Sequence, residues 1–309
     1  MANEVTFTGL SSAGGRISSV LSAMLFEKIH DPTDLRAVMT NVPWGQIGSD
    51  TMSVALDGAP GAFTATGGAE LGAAPNVAYG TGKFDLQIAR YARQYQMSDL
   101  FGVSGGAIDI AAVVKTLGDG VGLTMTDLLT SLFNSLGSAV TAATVLTVDD
   151  VYSAIYTLNL AGAASSPEAP YSMVLAPKQM NDFRTDLRNE SAGSALQYVS
   201  SEILAAKGPG FQGNWSGLDI WQSDSIATVD AAAHHSGAMF AKDAFAYTMA
   251  PVRALAGHVP AANIIADAGE LLIELDRDSS SGTTKAVASM FVAVSEAQDA
   301  LGVEIKSNV

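Results

Sequence analysis

Residues 45–83 set the architecture of this chain and read GQIGSDTMSVALDGAPGAFTATGGAELGAAPNVAYGTGK. The stretch is rich in glycine, and two short β-prone pieces, 52–56 and 62–66, lie between the glycines. A loop of this length without a core of its own is uncommon inside a compact domain. We therefore predict a two-stranded extension that leaves the body and lies on a neighbouring molecule. The apolar side chains available for that contact are Leu56, Phe63 and Leu71.

The segments on either side of the extension differ in kind from it. Residues 1–44 are predicted to form an N-terminal arm, with a short amphipathic helix that ends at Asp31-Pro32. Residues 84–97 alternate in the manner of a strand. Three large or cationic side chains next to the extension are further candidates for contacts between subunits: Trp44, Arg90 and Arg93.

The strongest helical pattern runs from Met125 to Ala143, where apolar residues recur at i, i+3, i+4 and i+7. A separate apolar helix is predicted over 107–117. The inner face of the long helix is predicted to be Leu128, Leu129, Leu132, Phe133 and Leu136. Its opposite, polar face is predicted to be Thr126, Asp127, Thr130, Ser131, Asn134 and Ser138.

The middle of the chain alternates helices and strands. Thr147 and Asp150 have the spacing of a capping box for a helix over 148–158. The inner face of that helix is predicted to use Val148, Val151, Tyr152, Ile155 and Leu158. Pro177 suits the first turn of another helix, over 178–189. Further predictions are a helix over 195–206, strands at 171–176, 218–221 and 238–241, and a hairpin of 270–277 with 285–294.

Composition excludes several classes of protein. The chain has 309 residues, of which only 15% are charged and 48% are hydrophobic, so a folded body with much surface buried against other copies is expected. The net charge of −15 argues against a protein that grips nucleic acid through phosphates. The absence of cysteine excludes disulfides and thiolate chemistry. No secretory signal or long apolar run is present, so we expect a soluble, cytoplasmic protein without membrane contact.

Three short motifs suggest chemistry, and each is better explained without it. Residues 102–106 match the nucleophile elbow around Ser104, but the segment before them is not a hydrophobic strand. Residues 208–213 match a dinucleotide fingerprint but follow a predicted helix. His234 and His235 have no third ligand at metal spacing, so we expect a solvated loop pair. We predict no catalytic, cofactor or metal residue, and no enzyme.

The order of these segments along the chain, and several short sequence motifs within them, resemble the major capsid protein of tailed bacteriophages. That protein has the Hong Kong phage-type shell fold, which encapsulins share. Residues 84–99 are similar to the passage from its extended loop to its spine helix, and 171–177 to the start of its axial domain. Residues 218–224 and the closing hairpin from 274 to 290 also match in order. The most specific phrase is Ala238-Met-Phe-Ala-Lys-Asp-Ala-Phe245.

The resemblance implies an α+β fold made of an N-terminal arm, an extended β-hairpin loop, a long spine helix, and peripheral and axial domains. The implied limits are 1–44 for the arm, 45–83 for the loop, 84–147 for the peripheral domain with its spine helix, 148–262 for the axial domain and 263–309 for the peripheral return hairpin.

The family also implies a function. Hexamers and pentamers of the chain would close an icosahedral shell around double-stranded DNA, without sequence-specific contacts. The shell would be the capsid of a virion assembled in the host cytoplasm, and separate scaffolding, portal and decoration proteins are compatible partners. Between Lys28 and Lys115 the sequence has only Lys83, so a covalent cross-link through the loop is not expected.

Three alternatives stay open at this point. An encapsulin-like compartment would have the same fold with a protein cargo in place of DNA. A serine hydrolase would use Ser104 as its nucleophile. The third alternative is a glycine-rich surface or adhesin protein.

Overall fold

The computed structural model describes residues 35–45, 49–57, 81–100, 110–163, 170–189, 207, 210–251, 264–267 and 271–309. The arm helix, the 195–206 helix and the tip of the 45–83 extension lie outside these residues. Within the described part, no helix is long and apolar enough to cross a membrane.

The described elements confirm a mixed α+β fold. The described residues contain three α-helices: α1 (Ile110–Ser131), α2 (Val148–Leu160) and α3 (Pro177–Asn189). The strands, in chain order, are β1 (Thr40–Asn41), β2 (Thr51–Asp57), β3 (Thr81–Gln87), β4 (Ala89–Ser98), β5 (Ala139–Thr141), β6 (Tyr171–Leu175), β7 (Phe211–Trp215), β8 (Leu218–Gln222), β9 (Thr228–Val229), β10 (His234–Phe240), β11 (Phe245–Met249), β12 (Ile264–Asp267), β13 (Leu271–Asp278), β14 (Thr283–Glu296) and β15 (Gly302–Asn308). Short 3-10 turns stand at Leu35–Val38, Phe133–Ser135 and Asp299–Leu301.

One sheet is organised by the long strand β14. It pairs antiparallel with β13 over 283–290, with β4 over 283–292 and with β11 over 292–296. Strands β12 and β1 extend the sheet through β13 and β11. The predicted closing hairpin is therefore confirmed, with a turn at 279–282 between β13 and β14.

A second sheet has the strand order β5-β15-β10-β6-β8-β7, with β9 also paired to β10. Helices α2 and α3 cover one apolar face of it, where Val151, Leu158 and Phe183 are fully buried against Ile220 and Ile305. The capping box of α2 is confirmed, because the Thr147 side chain accepts from the Asp150 backbone and the Asp150 side chain accepts from the Thr147 backbone.

A common aromatic core joins the two sheets. Phe133 lies 6.1 Å from Phe240 and 5.9 Å from Phe245, and Phe240 and Phe245 meet edge to face at 5.0 Å between ring centroids. Phe240 ends β10 of one sheet and Phe245 begins β11 of the other. All three rings are fully buried, so the chain passes between its sheets beside a buried aromatic cluster.

The prediction of the long helix was wrong at both ends. Helix α1 begins at Ile110 and ends at Ser131, so it includes residues 110–117 of the separate helix that was predicted over 107–117. Leu132, Phe133 and Leu136 follow it, in a 3-10 turn and its caps. The helical spacing of apolar residues continues past Ser131 because side chains in a 3-10 turn recur at nearly the same interval as in an α-helix. The chain then forms the strand β5.

The predicted polar face of this helix was also wrong in part. Thr126 and Thr130 are buried, and Thr126 Oγ1 accepts a hydrogen bond from the Leu35 backbone. The Thr130 hydroxyl donates to backbone carbonyls of Asp127 and Ser225. A hydroxyl that finds such partners can be buried at little cost, so threonine spacing alone did not mark the solvent face.

Sheet membership departs from the predicted limits of the axial domain at 148 and 262. Strand β11 lies inside those limits but pairs with β14 in the first sheet. Strands β5 and β15 lie outside them but complete the second sheet. The chain passes from one sheet to the other close to residues 137, 242 and 300. The aromatic core packs beside these passages.

We expect Leu129→Ala to lower the free energy of unfolding by about 2–5 kcal/mol, because the side chain is fully buried in the shared core. Leu132→Ala should cost less, since Leu132 is only half-buried. Ser131→Ala, at an exposed position of the same turn, is the control and should change stability by less than about 0.5 kcal/mol. Urea denaturation of the three variants tests this order, and equal losses would contradict the packing described.

Candidate assembly surfaces

The described part of the predicted extension is a two-stranded antiparallel ribbon. Strands β2 and β3 pair in unbroken register from Thr51↔Gln87 to Asp57↔Thr81. Ser53 and Asp85 face each other across it and join by a 2.5 Å hydrogen bond. Leu56 is half-buried near the outer end, whereas Phe63 and Leu71 lie outside the described residues. The ribbon is a two-stranded sheet that is not hydrogen-bonded into either larger sheet.

The base of the ribbon is fixed to the body. Leu86 in β3 is fully buried, and β3 packs against β14 of the first sheet. The Ile88 backbone donates to the Asp50 carbonyl at 2.8 Å, which ties the two ends of the ribbon to each other. Lys83 lies above this base with 69% of its side chain exposed and a 3.8 Å ion pair to Asp85. The ribbon therefore leaves the body from a rigid foot.

The other predicted contact residues line the neighbouring surface. Arg90 and Arg93 are exposed on β4, directly after the ribbon. Arg90 donates to the Ser289 hydroxyl at 2.9 Å, and the Arg93 guanidinium lies 5.6 Å from the Tyr95 ring centroid. Trp44 is half-buried after β1. These residues are available on one sheet but are not gathered into a single cluster.

The predicted core residues of the long helix are distributed between buried and half-buried positions. Leu129, Phe133 and Leu136 are buried in the shared core. Leu128 and Leu132 pack against its margin. The five residues therefore pack in the core between the two sheets and do not form one continuous helix face.

The three passages between the sheets are hydrogen-bonded to one another. The Ala297 backbone donates to the Ala244 carbonyl at 2.8 Å, and the Ala241 backbone donates to the Leu301 carbonyl at 2.9 Å. The Glu304 backbone donates to the Ser138 carbonyl at 2.8 Å. These bonds link all three passages, so the two sheets are joined in one place, which we call the crossing (residues 135–138, 241–244 and 296–304).

Two glycines of the crossing allow this close approach. A Cβ atom added to Gly302 would lie 2.5 Å from Leu136 Cδ2. A Cβ atom added to Gly137 would lie 2.5 Å from Asp299 Oδ2, and the Gly137 backbone already donates to Asp299 Oδ1 at 2.6 Å. A larger residue at position 302 would displace the Leu136 side chain, and one at position 137 would displace the Asp299 carboxylate.

Two carboxyl groups lie within the crossing. Ser135 donates to Glu296 Oε2 at 3.2 Å, and Asp299 accepts from Gly137. Partial burial raises the pKa of Glu296 above its ordinary value, the Ser135 hydroxyl opposes that rise, and the neighbouring Asp299 adds to it. Glu296 is therefore held more readily as a neutral acid here than in water.

The candidate chemical motifs receive little support from the described residues. Ser104 and His258 lie outside them. Gly213 sits inside β7, and β8 follows where a dinucleotide site would need a helix. The prediction of a solvated loop for His234 and His235 was wrong, because both are half-buried in β10. Burial lowers the pKa of His235, and the positive charge of Lys178 lowers it further. Among the described side chains, no group of three or more potential ligands could hold a metal ion.

The aromatic residues also find definite places. Trp215 and Trp221 are buried in the cores on either side of the second sheet. The prediction that Tyr152 faces inward was wrong, because half of it is exposed while its ring packs against Trp215 at 5.3 Å. Position 152 borders the inner stripe of the helix, and a large ring there can touch the core and still reach solvent.

Among solved structures, phage capsids match most of this chain. The capsid of cyanophage P-SCSP1u has a TM-score of 0.62 at 11% identity, over 91% of this chain and 90% of that chain. The head of Helicobacter pylori bacteriophage KHP40 has a TM-score of 0.60 at 9% identity, over 99% and 98%. The capsid of Ralstonia phage GP4 has a TM-score of 0.60 at 12% identity, over 88% and 87%.

Neither a family model nor a curated protein sequence matches the chain. At such low identity the structural likeness establishes the fold, which is the fold of tailed-phage capsid structures, and it confirms the resemblance found in the sequence.

We expect Glu296→Gln to flatten the dependence of stability on pH. Because the folded pKa of Glu296 is raised, its stabilising contribution is complete below the ordinary value of 4.5 and is lost as the pH rises through the raised value. A glutamine stays neutral and can still accept from Ser135, so the variant should equal or exceed the wild type in stability at pH 7–8.

Thermal unfolding at a series of pH values tests this expectation. The matched control is Asp276→Asn, which removes an exposed carboxylate of β13 far from the crossing and should leave the wild-type profile unchanged. A Glu296→Gln variant that loses stability at neutral pH would show that the ionised form supports the crossing.

Proposed function

We propose that this chain is the major capsid protein of a tailed-phage-type particle, and that many copies assemble into an icosahedral shell around double-stranded DNA. The observation that carries the proposal is the extent of the structural likeness, which spans about nine-tenths of this chain and of the cyanophage capsid protein alike. A likeness of that extent is not confined to one common motif.

The geometry supports a role in assembly. The ribbon has a fixed foot and is not part of either larger sheet, which leaves its strands available to bind a neighbouring copy. The low charge of the chain suits a protein whose surface is largely covered by other copies. We assign the first sheet with α1 to the peripheral domain and the second sheet with α2 and α3 to the axial domain. The hexamers and pentamers of the family are proposed for this chain as well.

The charge of the chain suits a container for DNA. A surface with a net charge of −15 offers few phosphate contacts, so DNA would be enclosed without sequence-specific binding and without strong retention. We propose that the shell is part of a virion assembled in the host cytoplasm, with separate scaffolding, portal and decoration proteins as possible further components. Its role is structural and not enzymatic.

The alternatives have less support. An encapsulin-like compartment would share the fold, but the solved structures that match include capsids and heads of several phages and a GTA particle. A hydrolase would need a strand, the Ser104 turn and a helix in one α/β sheet. Strand β4, which precedes Ser104, is instead antiparallel to β14.

Expression of the chain alone, followed by sedimentation and electron microscopy, tests the proposed function. We expect closed shells of megadalton mass from the wild type. Deletion of residues 58–72, beyond the described ribbon, should leave a folded subunit that forms no closed shell. A wild-type protein that stays monomeric or dimeric, with or without scaffolding protein, would refute the proposal. In native particles, nuclease-resistant DNA supports a phage capsid, whereas a protein cargo supports a compartment.

We expect the shell to be held together without covalent links. The extension contains no lysine before Lys83, and Lys83 lies on β3 above the ribbon foot, in an ion pair with Asp85. Boiled particles should therefore run as a single band near 32 kDa in a denaturing gel. A ladder of multiples would show a cross-link, and its loss in Lys83→Arg would identify the residue responsible.

A further inference from the structure

Helix α2 presents an apolar stripe to solvent. Tyr152, Tyr156 and Leu160 recur at intervals of four residues, and 50%, 64% and 70% of their surfaces are exposed. They are three of the six exposed large hydrophobic residues in the described part of the chain. The opposite face of the same helix already supplies the buried contacts of the core, so the helix does not need this stripe to fold.

The stripe is held rigidly. Tyr152 packs against Trp215, whose ring meets Phe183 edge to face at 5.3 Å. At the start of the helix, the Val148 backbone donates to Asp186 of α3 at 2.7 Å. Near its end, the Tyr171 hydroxyl donates to Asn159 at 2.7 Å. A surface fixed in this way loses little conformational entropy on binding, and rigid tyrosines are frequent anchors of protein interfaces.

The charge pattern indicates what kind of molecule the stripe binds. The acids of α2 are confined to its first turn, at Asp149 and Asp150, and residues 151–163 carry no charge. Two copies of a chain with a net charge of −15 repel each other over most of their surfaces. An uncharged stripe is a place where a second acidic copy can approach without that penalty. A basic partner would gain more electrostatic attraction at the acidic surfaces of the chain than at this uncharged stripe.

The size of the stripe limits what it can hold alone. An aromatic side chain buries about 150–250 Å² in full, so these three partly exposed residues offer on the order of 350 Å². A stable pairwise interface needs about 800 Å² on each partner. The stripe is therefore too small for a free dimer, but it is sufficient as one contact among several between copies that the ribbon already joins.

We propose that the stripe Tyr152, Tyr156 and Leu160 docks on a neighbouring copy of this chain within the assembled shell, as a contact separate from the ribbon. The proposal rests on the proposed function, since it requires a shell. It assigns an assembly role to the outer face of α2 and ties that role to the axial body of the protein.

Thiol labelling tests the proposal directly, because the chain has no cysteine of its own. Leu160→Cys places one thiol at the most exposed position of the stripe. In particles assembled from this chain alone, only another copy can cover it. We expect a maleimide reagent to label the free subunit at least tenfold faster than the particle. Thr185→Cys, on the exposed side of α3, is the control and should label at similar rates in both.

The outcomes separate the two proposals. Equal labelling of Leu160→Cys in subunit and particle overturns the docking role while the shell function stands. Equal protection of Thr185→Cys also overturns it, because the protection would then come from the shell wall in general. If the unmodified chain forms no particle, the shell function fails and the docking role fails with it.

An assembly assay gives a second measurement. Tyr156→Lys should fold, since the side chain is mostly exposed, but should lower the yield of closed shells at least tenfold. Tyr156→Phe keeps the ring and should assemble like the wild type. Circular dichroism of the free subunits checks that both variants are folded. Normal shells from Tyr156→Lys would overturn the proposal.

Discussion

The structure depends on the crossing, where the backbone passes three times between its two sheets. Each passage is bonded to another through main-chain groups, and the Leu136 and Asp299 side chains lie close against Gly302 and Gly137. The aromatic core of Phe133, Phe240 and Phe245 encloses the same region. Because buried backbone groups are costly to leave unpaired, the sheets cannot separate without breaking the core as well.

The two proposed contact surfaces belong to the two sheets that the crossing joins. The ribbon is anchored on the first sheet through β14, and the stripe lies on α2, which covers the second sheet. The carboxyl group of Glu296 lies at the crossing, beside Ser135 and Asp299. A substitution at the crossing is therefore expected to affect both sheets.

Local chemistry made much of the fold predictable. The Thr147–Asp150 capping box and Pro177 gave α2 and α3 nearly to the residue, because caps and the first turn have specific requirements. The helix after Met125 was misplaced, because a 3-10 turn and a buried threonine face look helical and polar in the sequence. The exposed Tyr152 was missed for a related reason, since spacing shows which side chains share a face but not how deeply each is buried. Which strand joins which sheet depends on contacts between distant residues, and no short motif encodes them.

The place of β15 in the second sheet has a consequence for biosynthesis. It lies between β5 and β10, and pairs Ile305 with both Val140 and Gly237. The strand nearest the carboxyl end of the described chain therefore occupies an interior position, while its partners emerge from the ribosome much earlier. The sheet cannot close during elongation and must wait until residue 308 has been made. A nascent chain that ends before β15 consequently lacks the strand that joins β5 to β10 in the second sheet.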